Sequence, residues 1–174
     1  FQSTSDAVIK NLILNVEGQL IGFNYVACLI GYASNTTISD CHITGKVNIT
    51  STGEYIGILS SYLFKCNVSN ITINVTGSSL QGNKYIGGLC GIAQDTIIKK
   101  SIVCGELIIL GVNYEYCVDT EKKVVYPQEI GGLIGSTTNC RIEDSQVVFV
   151  GSITGLYYIS GFVPMDLNSV FKNC

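Results

Sequence analysis

The chain has 174 residues and a formal net charge of −3, with 47% hydrophobic but only 13% charged residues. Soluble domains usually carry about 25% charged residues, yet no segment reaches the ~18 consecutive apolar residues that a membrane-spanning helix needs. Abundant Ile, Val, Leu and Tyr exclude intrinsic disorder. The slightly acidic balance argues against a nucleic-acid partner, which requires a basic face. We expect one domain with a sizeable core, and the start at Phe1 indicates a mature chain or a fragment.

The first half of the chain is rich in acceptor sequons for N-linked glycans. Asn-X-Ser/Thr occurs five times, at Asn35, Asn48, Asn67, Asn70 and Asn74. Together with eight cysteines, this cluster predicts an extracellular or cell-surface location. The chain has no Cys-X-X-Cys pair, which excludes zinc ribbons and thioredoxin-type redox motifs.

An internal repeat organises nearly the whole chain. Its first aliphatic residue recurs at spacings of 30, 30, 44 and 29 residues: Val26, Ile56, Ile86, Ile130 and Ile159. Twelve residues after each of these, a second apolar residue recurs: Ile38, Val68, Ile98, Ile142 and Phe171. These landmarks predict an N-terminal coil near 6–25 and five further coils, near 25–54, 55–84, 85–128, 129–157 and 158–174. The longer spacing predicts an insertion at 112–128.

Alternating residues after the second landmark predict a strand in every coil. In the first coil the inward set is Cys41, Ile43, Gly45 and Val47, and the outward set is His42, Thr44, Lys46 and Asn48. The same numbering points Gly77 inward and Ser78 outward in the second coil. One coil cannot bury its apolar face alone, but stacked coils can. The predicted fold is therefore all-β, a β-solenoid similar to a parallel β-helix, with five to six coils of about 30 residues and one inserted loop.

The repeat resembles the GLUG-motif repeat of IgA-peptidase-type and other large surface proteins. The third copy carries the likeness best, with Tyr85-Ile86-Gly87-Gly88-Leu89-Cys90-Gly91 followed by a strand that ends in Cys104-Gly105-Glu106-Leu107. The second and fifth copies depart from the Gly-Gly pair, with Gly57-Ile58 and Ser60-Ser61 in one and Ser160-Gly161 in the other. The resemblance implies a β-solenoid and a surface-exposed parent protein, and it implies no catalytic residue.

The outward face changes character along the predicted rod. It is polar in the first two coils but presents Ile102, Ile108, Val148 and Val150 in the next two. An exposed apolar patch of this kind usually marks a contact. Two explanations stay open: the insertion, which carries Tyr114, Tyr116 and Tyr126, folds back over the patch, or another chain binds there.

One column of tyrosines precedes the first aliphatic residue of the repeat, at Tyr25, Tyr55, Tyr85 and Tyr158. Aromatic strips can stack on sugar rings, but stacked aromatics also stabilise neighbouring strands. We expect a structural ladder within the core.

Other candidate chemistry is weak. Asp40, Asn70, Lys100, Asp144 and Asn173 share a column, but Lys100 interrupts the oxygen ligands that calcium would need, which favours a solvated stripe. His42, the only histidine, should point away from Cys41 and so cannot form a nucleophilic pair with it. The acidic residues are scattered over different columns, and no cofactor is predicted.

The cysteines allow few bridges within one rod. Cys66 and Cys140 share a column two coils apart, about 9.6 Å, which exceeds the ~7 Å limit for a disulfide. Buried thiols are expected at Cys28, Cys41 and Cys90. Cys117 in the insertion is a candidate to pair with Cys104 or Cys140, and Cys174 with another segment.

The sequence favours a non-enzymatic structural protein: a glycosylated surface fibre, stalk or adhesin segment. The last copy stops at Cys174, as its second strand begins, which should leave strand edges open and favours association with other copies or flanking segments of the same array. Two alternatives stay open. One is a solenoid that binds or cleaves host or environmental glycans, and the other is the passive stem of a large surface peptidase.

Overall fold

The computed structural model describes residues 1–112 and 128–174, together with the backbone of two short strands between them. In the described part the regular elements are all β-strands. In chain order they are β1 (Ser3–Ser5), β2 (Val8–Lys10), β3 (Ile13–Gly22), β4 (Val26–Ala27), β5 (Ile30–Ser34), β6 (Thr37–Ser51), β7 (Glu54–Gly57), β8 (Ser60–Phe64), β9 (Asn67–Gly82), β10 (Lys84–Gly87), β11 (Cys90–Gln94), β12 (Ile97–Lys99), β13 (Ile102–Gly111), β14 (Tyr116–Cys117), β15 (Lys123–Val124), β16 (Ile130–Gly131), β17 (Ile134–Thr138), β18 (Arg141–Glu143), β19 (Gln146–Thr154), β20 (Ile159–Ser160), β21 (Met165–Leu167) and β22 (Val170–Lys172).

The strands form three parallel sheets, and the chain visits each sheet once per coil. The narrow sheet has the order β20-β16-β10-β7-β4, and the middle sheet has the order β1-β5-β8-β11-β17-β21. The wide sheet contains β2, β3, β6, β9, β12, β13, β18, β19 and β22. A chain that passes through the three sheets once per coil forms a β-solenoid, here of about five turns. The predicted fold class is confirmed. The short strands β14 and β15 pair antiparallel within the insertion.

Pairing between coils follows both predicted landmark columns. Ile56 pairs with Val26 on one side and with Ile86 on the other, and the column continues through Ile130 to Ile159. The second column runs from Ile38 through Val68, Ile98 and Ile142 to Phe171. The extra residues of the 44-residue spacing lie between β13 and β16. The insertion therefore does not disturb the register of the stacked strands.

The core consists of aliphatic residues stacked one above another in the middle coils. Ile43, Ile73 and Val103 form one such column and are almost fully buried. The corresponding inward residues of the outermost strands in this part of the wide sheet, Leu14 of β3 and Val147 of β19, are only partly buried. Burial by neighbouring coils explains how a chain with so few charges keeps most of its apolar side chains from water.

Two columns of corner residues adopt the left-handed conformation that L residues rarely visit. The first joins the middle sheet to the wide sheet and contains Asp6, Asn35, Lys65, Asp95, Asn139 and Asn168. The second lies between the two segments of the wide sheet and contains Asn11, Asp40, Asn70, Lys100, Asp144 and Asn173. Asn and Asp tolerate this conformation better than other non-glycine residues. The column interpreted from the sequence as a solvated stripe is therefore also a backbone requirement.

One inward position predicted from the sequence is wrong. The register between β6 and β9 shifts between Gly45 and Asn48, and Leu107 of β13 pairs with Ser78 rather than with Gly77. Ser78 is buried and its Oγ accepts a hydrogen bond from the Val47 N–H at 3.0 Å. The extra residue is accommodated as a bulge at Gly77, which is exposed and has a φ of 60°.

Candidate functional surfaces

Three tyrosines stack in a ladder at the start of the narrow-sheet strands. The rings of Tyr25 and Tyr55 have centroids 4.7 Å apart and planes within 9°, and those of Tyr55 and Tyr85 are 5.2 Å apart and within 7°. Tyr32 contacts the Tyr25 ring edge-on at 6.3 Å, and Tyr62 contacts the Tyr55 ring at 5.9 Å. These five residues form a surface cluster, here called the tyrosine cluster.

Stacking covers most of the ring faces in the tyrosine cluster. Tyr55 has a parallel ring on each side, and the Lys84 Nζ lies 4.2 Å from the Tyr85 ring centroid. Burial, followed by the nearby Glu54 carboxylate, raises the pKa of the Tyr55 phenol. A bound sugar would need an uncovered ring face against which to pack its C–H groups. Of the three ladder members only Tyr25, at the open end of the stack, is classed as exposed, at 42%. The cluster is therefore built for strand-to-strand packing.

The structure corrects two parts of the tyrosine prediction. The ladder lies at the surface rather than in the core, since its members are exposed or half-buried. Tyr158 is separated from Tyr85 by one coil, where Glu129 holds the equivalent position, and it is 49% exposed. The ladder therefore ends at Tyr85. Its three members all have positive φ values, of 54°, 67° and 52°, so each ring is presented from a strained backbone.

The five sequon asparagines lie on the wide sheet and its corner in the first two coils. Asn35, Asn67, Asn70 and Asn74 are exposed. Asn48 is half-buried, and its Oδ1 accepts a hydrogen bond from the Ser79 Oγ at 2.8 Å. The Asn70 Nδ2, the atom that would carry a glycan, donates to the Asp40 Oδ1 at 2.7 Å. Asn35, Asn67 and Asn74 are thus the sites best placed for modification in the folded chain.

An apolar patch occupies the same sheet two coils further on. Ile108, Val148 and Val150 are 51%, 60% and 78% exposed, and Ile102 is half-buried. All four point outward from β13 and β19, as predicted. In the parallel register Val148 lies beside Cys104, and Val150 beside Glu106. The predicted cover by the insertion falls on side chains that lie outside the described residues.

The seven cysteines of the described part are all free thiols. Cys104, Cys140 and Cys174 therefore give no support to the predicted disulfides, while the Cys117 side chain lies outside the described residues. Cys41 and Cys90 are buried, as expected, whereas Cys28 is only half-buried. Partial burial nevertheless raises the pKa of the Cys28 thiol to about 12. A raised pKa suppresses the reactive thiolate.

Two of the buried thiols replace threonine hydroxyls. The Thr96 Oγ1 donates to the Gln94 carbonyl at 2.8 Å, and the Cys66 and Cys140 Sγ atoms donate in the same way to the carbonyls two residues before them, at 3.3 Å in each case. The role of these residues is to satisfy corner carbonyls.

Charged groups on the wide sheet form a local ion cluster rather than an acid–base pair. The Glu143 carboxylate lies 2.6 Å from the Arg141 guanidinium and 3.0 Å from the Lys99 ammonium. Hydrogen bonds from Arg141 and then Lys99 lower the pKa of Glu143, and a hydrogen bond from Asn70 lowers that of Asp40. A glycosidase acid needs a raised pKa. These carboxyls are shifted in the opposite direction.

Three further findings complete the description of these surfaces. Within the described residues, no cluster of three or more His, Cys, Asp or Glu could hold a metal ion. The same part of the chain contains no helix long and apolar enough to cross a membrane. Compared with models of protein families, with curated proteins and with solved structures, the chain shows no significant match. The likeness to the GLUG repeat therefore stays a prediction.

Proposed function

We propose that the chain is a segment of an extracellular, glycan-bearing solenoid with a structural role in a surface fibre, stalk or adhesin. Its mechanism is rigid display: stacked coils hold their outward faces at fixed spacing, and association with further copies or coils extends the assembly. No step of this mechanism requires a reacting group or cofactor.

The observation that carries the proposal is the state of the two end coils. Inward residues such as Leu14 and Leu20 at one end, and Phe149 and Phe162 at the other, are only partly buried. Their counterparts in the middle coils, including Ile43, are almost completely buried. Solenoids need either polar capping repeats or neighbours to cover such ends, and apolar end coils favour neighbours.

The distribution of polar groups on the wide sheet supports an extracellular setting. Exposed sequon asparagines occupy its first two coils, and the apolar patch occupies the next two. Glycans on Asn67 and Asn74 would keep one part of the sheet in water and leave the other free for contact. Segregation of this kind suits a protein that associates through one face.

Carbohydrate recognition by the tyrosine cluster is the weaker alternative, because stacking uses the ring faces that a sugar would need. Cleavage of a polysaccharide is weaker still, because the Glu143 carboxylate is held between two cations. The third alternative, a stem within a surface peptidase, shares the same physical role.

Secreted expression in a eukaryotic host tests the proposal. We expect the intact mass to fall on enzymatic removal of N-linked glycans, and Asn74→Gln to remove the mass of one glycan. Asn15→Gln is the matched control and should leave the glycan mass unchanged, because Asn15 is an exposed asparagine in the same column as Asn74 but begins no sequon. Secretion of a folded chain without glycans, or turnover of any member of a polysaccharide panel, would contradict the proposal.

A further inference from the structure

We propose that Tyr32 and Tyr62 form a site of oxidative modification, at which a covalent bond between their rings joins two neighbouring coils. The two residues are paired directly in the parallel register of β5 and β8. Their ring centroids are 5.4 Å apart, and the ring planes are inclined by 34°. Both side chains are half-buried, so the rings pack against the sheet while part of each remains in solvent.

This pair is better suited to coupling than the ladder pairs of the tyrosine cluster. The bond joins the carbon next to the hydroxyl-bearing carbon in each ring, so the two ring edges must turn towards each other. Tyr55 is stacked face to face with a ring on each side, with planes within 9°. The Tyr32 and Tyr62 rings are already inclined, and both residues lie within regular strands without the positive φ values of the ladder residues. Turning one of these two rings therefore disturbs no parallel stack.

The rest of the tyrosine cluster connects this pair to further phenols. The Tyr62 ring also lies 6.5 Å from the Tyr25 ring and 5.9 Å from the Tyr55 ring, measured between centroids. A radical formed on either of these rings is therefore one ring contact away from Tyr62. The Tyr62 hydroxyl donates to the Gln94 Oε1 at 2.8 Å, which anchors this ring at the surface of the sheet. Because the sequence contains no tryptophan, the tyrosines are its readily oxidised aromatic residues.

The coupling needs a one-electron oxidant, for which we name a haem peroxidase with hydrogen peroxide. Each phenol loses one electron and its hydroxyl proton, and the two unpaired electrons then pair as a carbon–carbon bond between the rings. The hydrogen on each bonded carbon moves to the oxygen of its own ring, which restores both phenols. The two electrons and two protons reduce one hydrogen peroxide to two water molecules. The chain as a whole loses two hydrogen atoms.

Such a bond would give the stack a covalent link that its described cysteines do not provide. The seven cysteines of the described part are free thiols, so no disulfide joins coils there. Tyr32 and Tyr62 are 30 residues apart and belong to consecutive coils. A cross-link between them would restrict the unfolded chain, as a disulfide over a loop of that length does. The inference goes beyond the proposed structural role and depends only on the fold.

Oxidation of the purified full chain at low concentration tests the site. The chain is treated with a haem peroxidase and a limiting amount of hydrogen peroxide. We expect a monomer on a denaturing gel, an intact mass lower by two hydrogen atoms, and the blue fluorescence of coupled phenols. Mass spectrometry of the cross-linked proteolytic fragments should place the bond between Tyr32 and Tyr62.

Two phenylalanine variants separate the effect of pairing from that of exposure. Tyr62→Phe keeps the ring but removes the phenol, and it should reduce the yield of cross-linked monomer at least tenfold without changing the circular dichroism spectrum. Tyr158→Phe is the matched control, because Tyr158 is 49% exposed and, among the described residues, its ring contacts no other tyrosine. The control should leave the yield unchanged.

Cross-links that predominantly join separate chains through Tyr157 or Tyr158 would overturn the inference, because exposure rather than pairing would then control the reaction. A bond within the ladder instead, or no cross-linked monomer at all, would overturn it as well. Because the reaction is carried out on the purified chain, glycan mass and tyrosine coupling can fail separately.

Discussion

The middle rung of the tyrosine ladder allows a quantitative test of what stabilises the stack. Tyr55 contacts three rings, at centroid distances of 4.7, 5.2 and 5.9 Å. Aromatic pairs contribute about 0.5–1.5 kcal/mol each, so the three contacts together are worth roughly 1.5–4.5 kcal/mol if they add. Against this, the φ of 67° at Tyr55 is costly for an L residue, by about 1–2 kcal/mol.

Replacing Tyr55 with Asn separates the two effects, because Asn accepts the left-handed conformation at Asn35 and Asn70 of the same fold. The loss of three ring contacts should outweigh the relief of backbone strain, with a net destabilisation of about 1–3 kcal/mol. For a chain of this size, that corresponds to a fall in Tm of roughly 3–9 °C. The assay is thermal unfolding followed by circular dichroism.

Two controls make the result specific. Tyr158→Asn removes a tyrosine beyond the end of the ladder and should change stability by less than about 0.5 kcal/mol. The double variant Tyr25→Asn with Tyr55→Asn should be less destabilised than the sum of its parts, by about 0.5–1.5 kcal/mol for the shared pair. Unchanged or raised stability of Tyr55→Asn would refute the argument, since strain would then exceed stacking.

Three further predictions concern single side chains. Above pH 10 we expect the free energy of unfolding to fall, because Tyr55 ionises near its ordinary pKa of 10.0 in the unfolded chain, while the folded state holds that pKa higher. Tyr55→Phe should make this fall less steep in alkaline unfolding curves. An equal slope in the two chains would contradict the assignment to Tyr55. Ser61 is fully buried and its Oγ has no hydrogen-bond partner in the described part of the chain. Ser61→Ala should therefore raise the free energy of unfolding by about 1 kcal/mol, measured in urea, and a loss of that size would reveal a missing partner. Cys66→Thr should keep the free energy of unfolding within about 1 kcal/mol, because Thr36 and Thr96 flank Cys66 in the same column. Cys66→Leu should cost about 1–3 kcal/mol, because the larger side chain overpacks the site. Equal stabilities of the two variants would show that the site is not tightly packed.

The repeat made the stacking register predictable from the sequence. Landmarks such as Ile56 and Val68 occupy fixed places in each coil, and parallel pairing in a solenoid follows directly from such columns.

Positions that depend on backbone conformation were harder to predict. Gly77 and Ser78 exchange their predicted directions because one residue bulges, and period-two alternation cannot show where a bulge falls. Tyr25, Tyr55 and Tyr85 adopt positive φ values, although tyrosine carries no signal for that conformation. This backbone geometry places the three rings at the surface, whereas the aromatic column in the sequence suggested that they lie in the core.

The association state of the secreted, glycosylated chain tests the central claim most directly. Light scattering over a range of concentrations should show association beyond the monomer, because Val148 and Val150 leave a large apolar face in water. Ile108→Lys with Val150→Lys should shift the chain to monomer, without change in its circular dichroism spectrum. A chain that stays monomeric at every concentration, with or without these substitutions, would contradict a role in assembly.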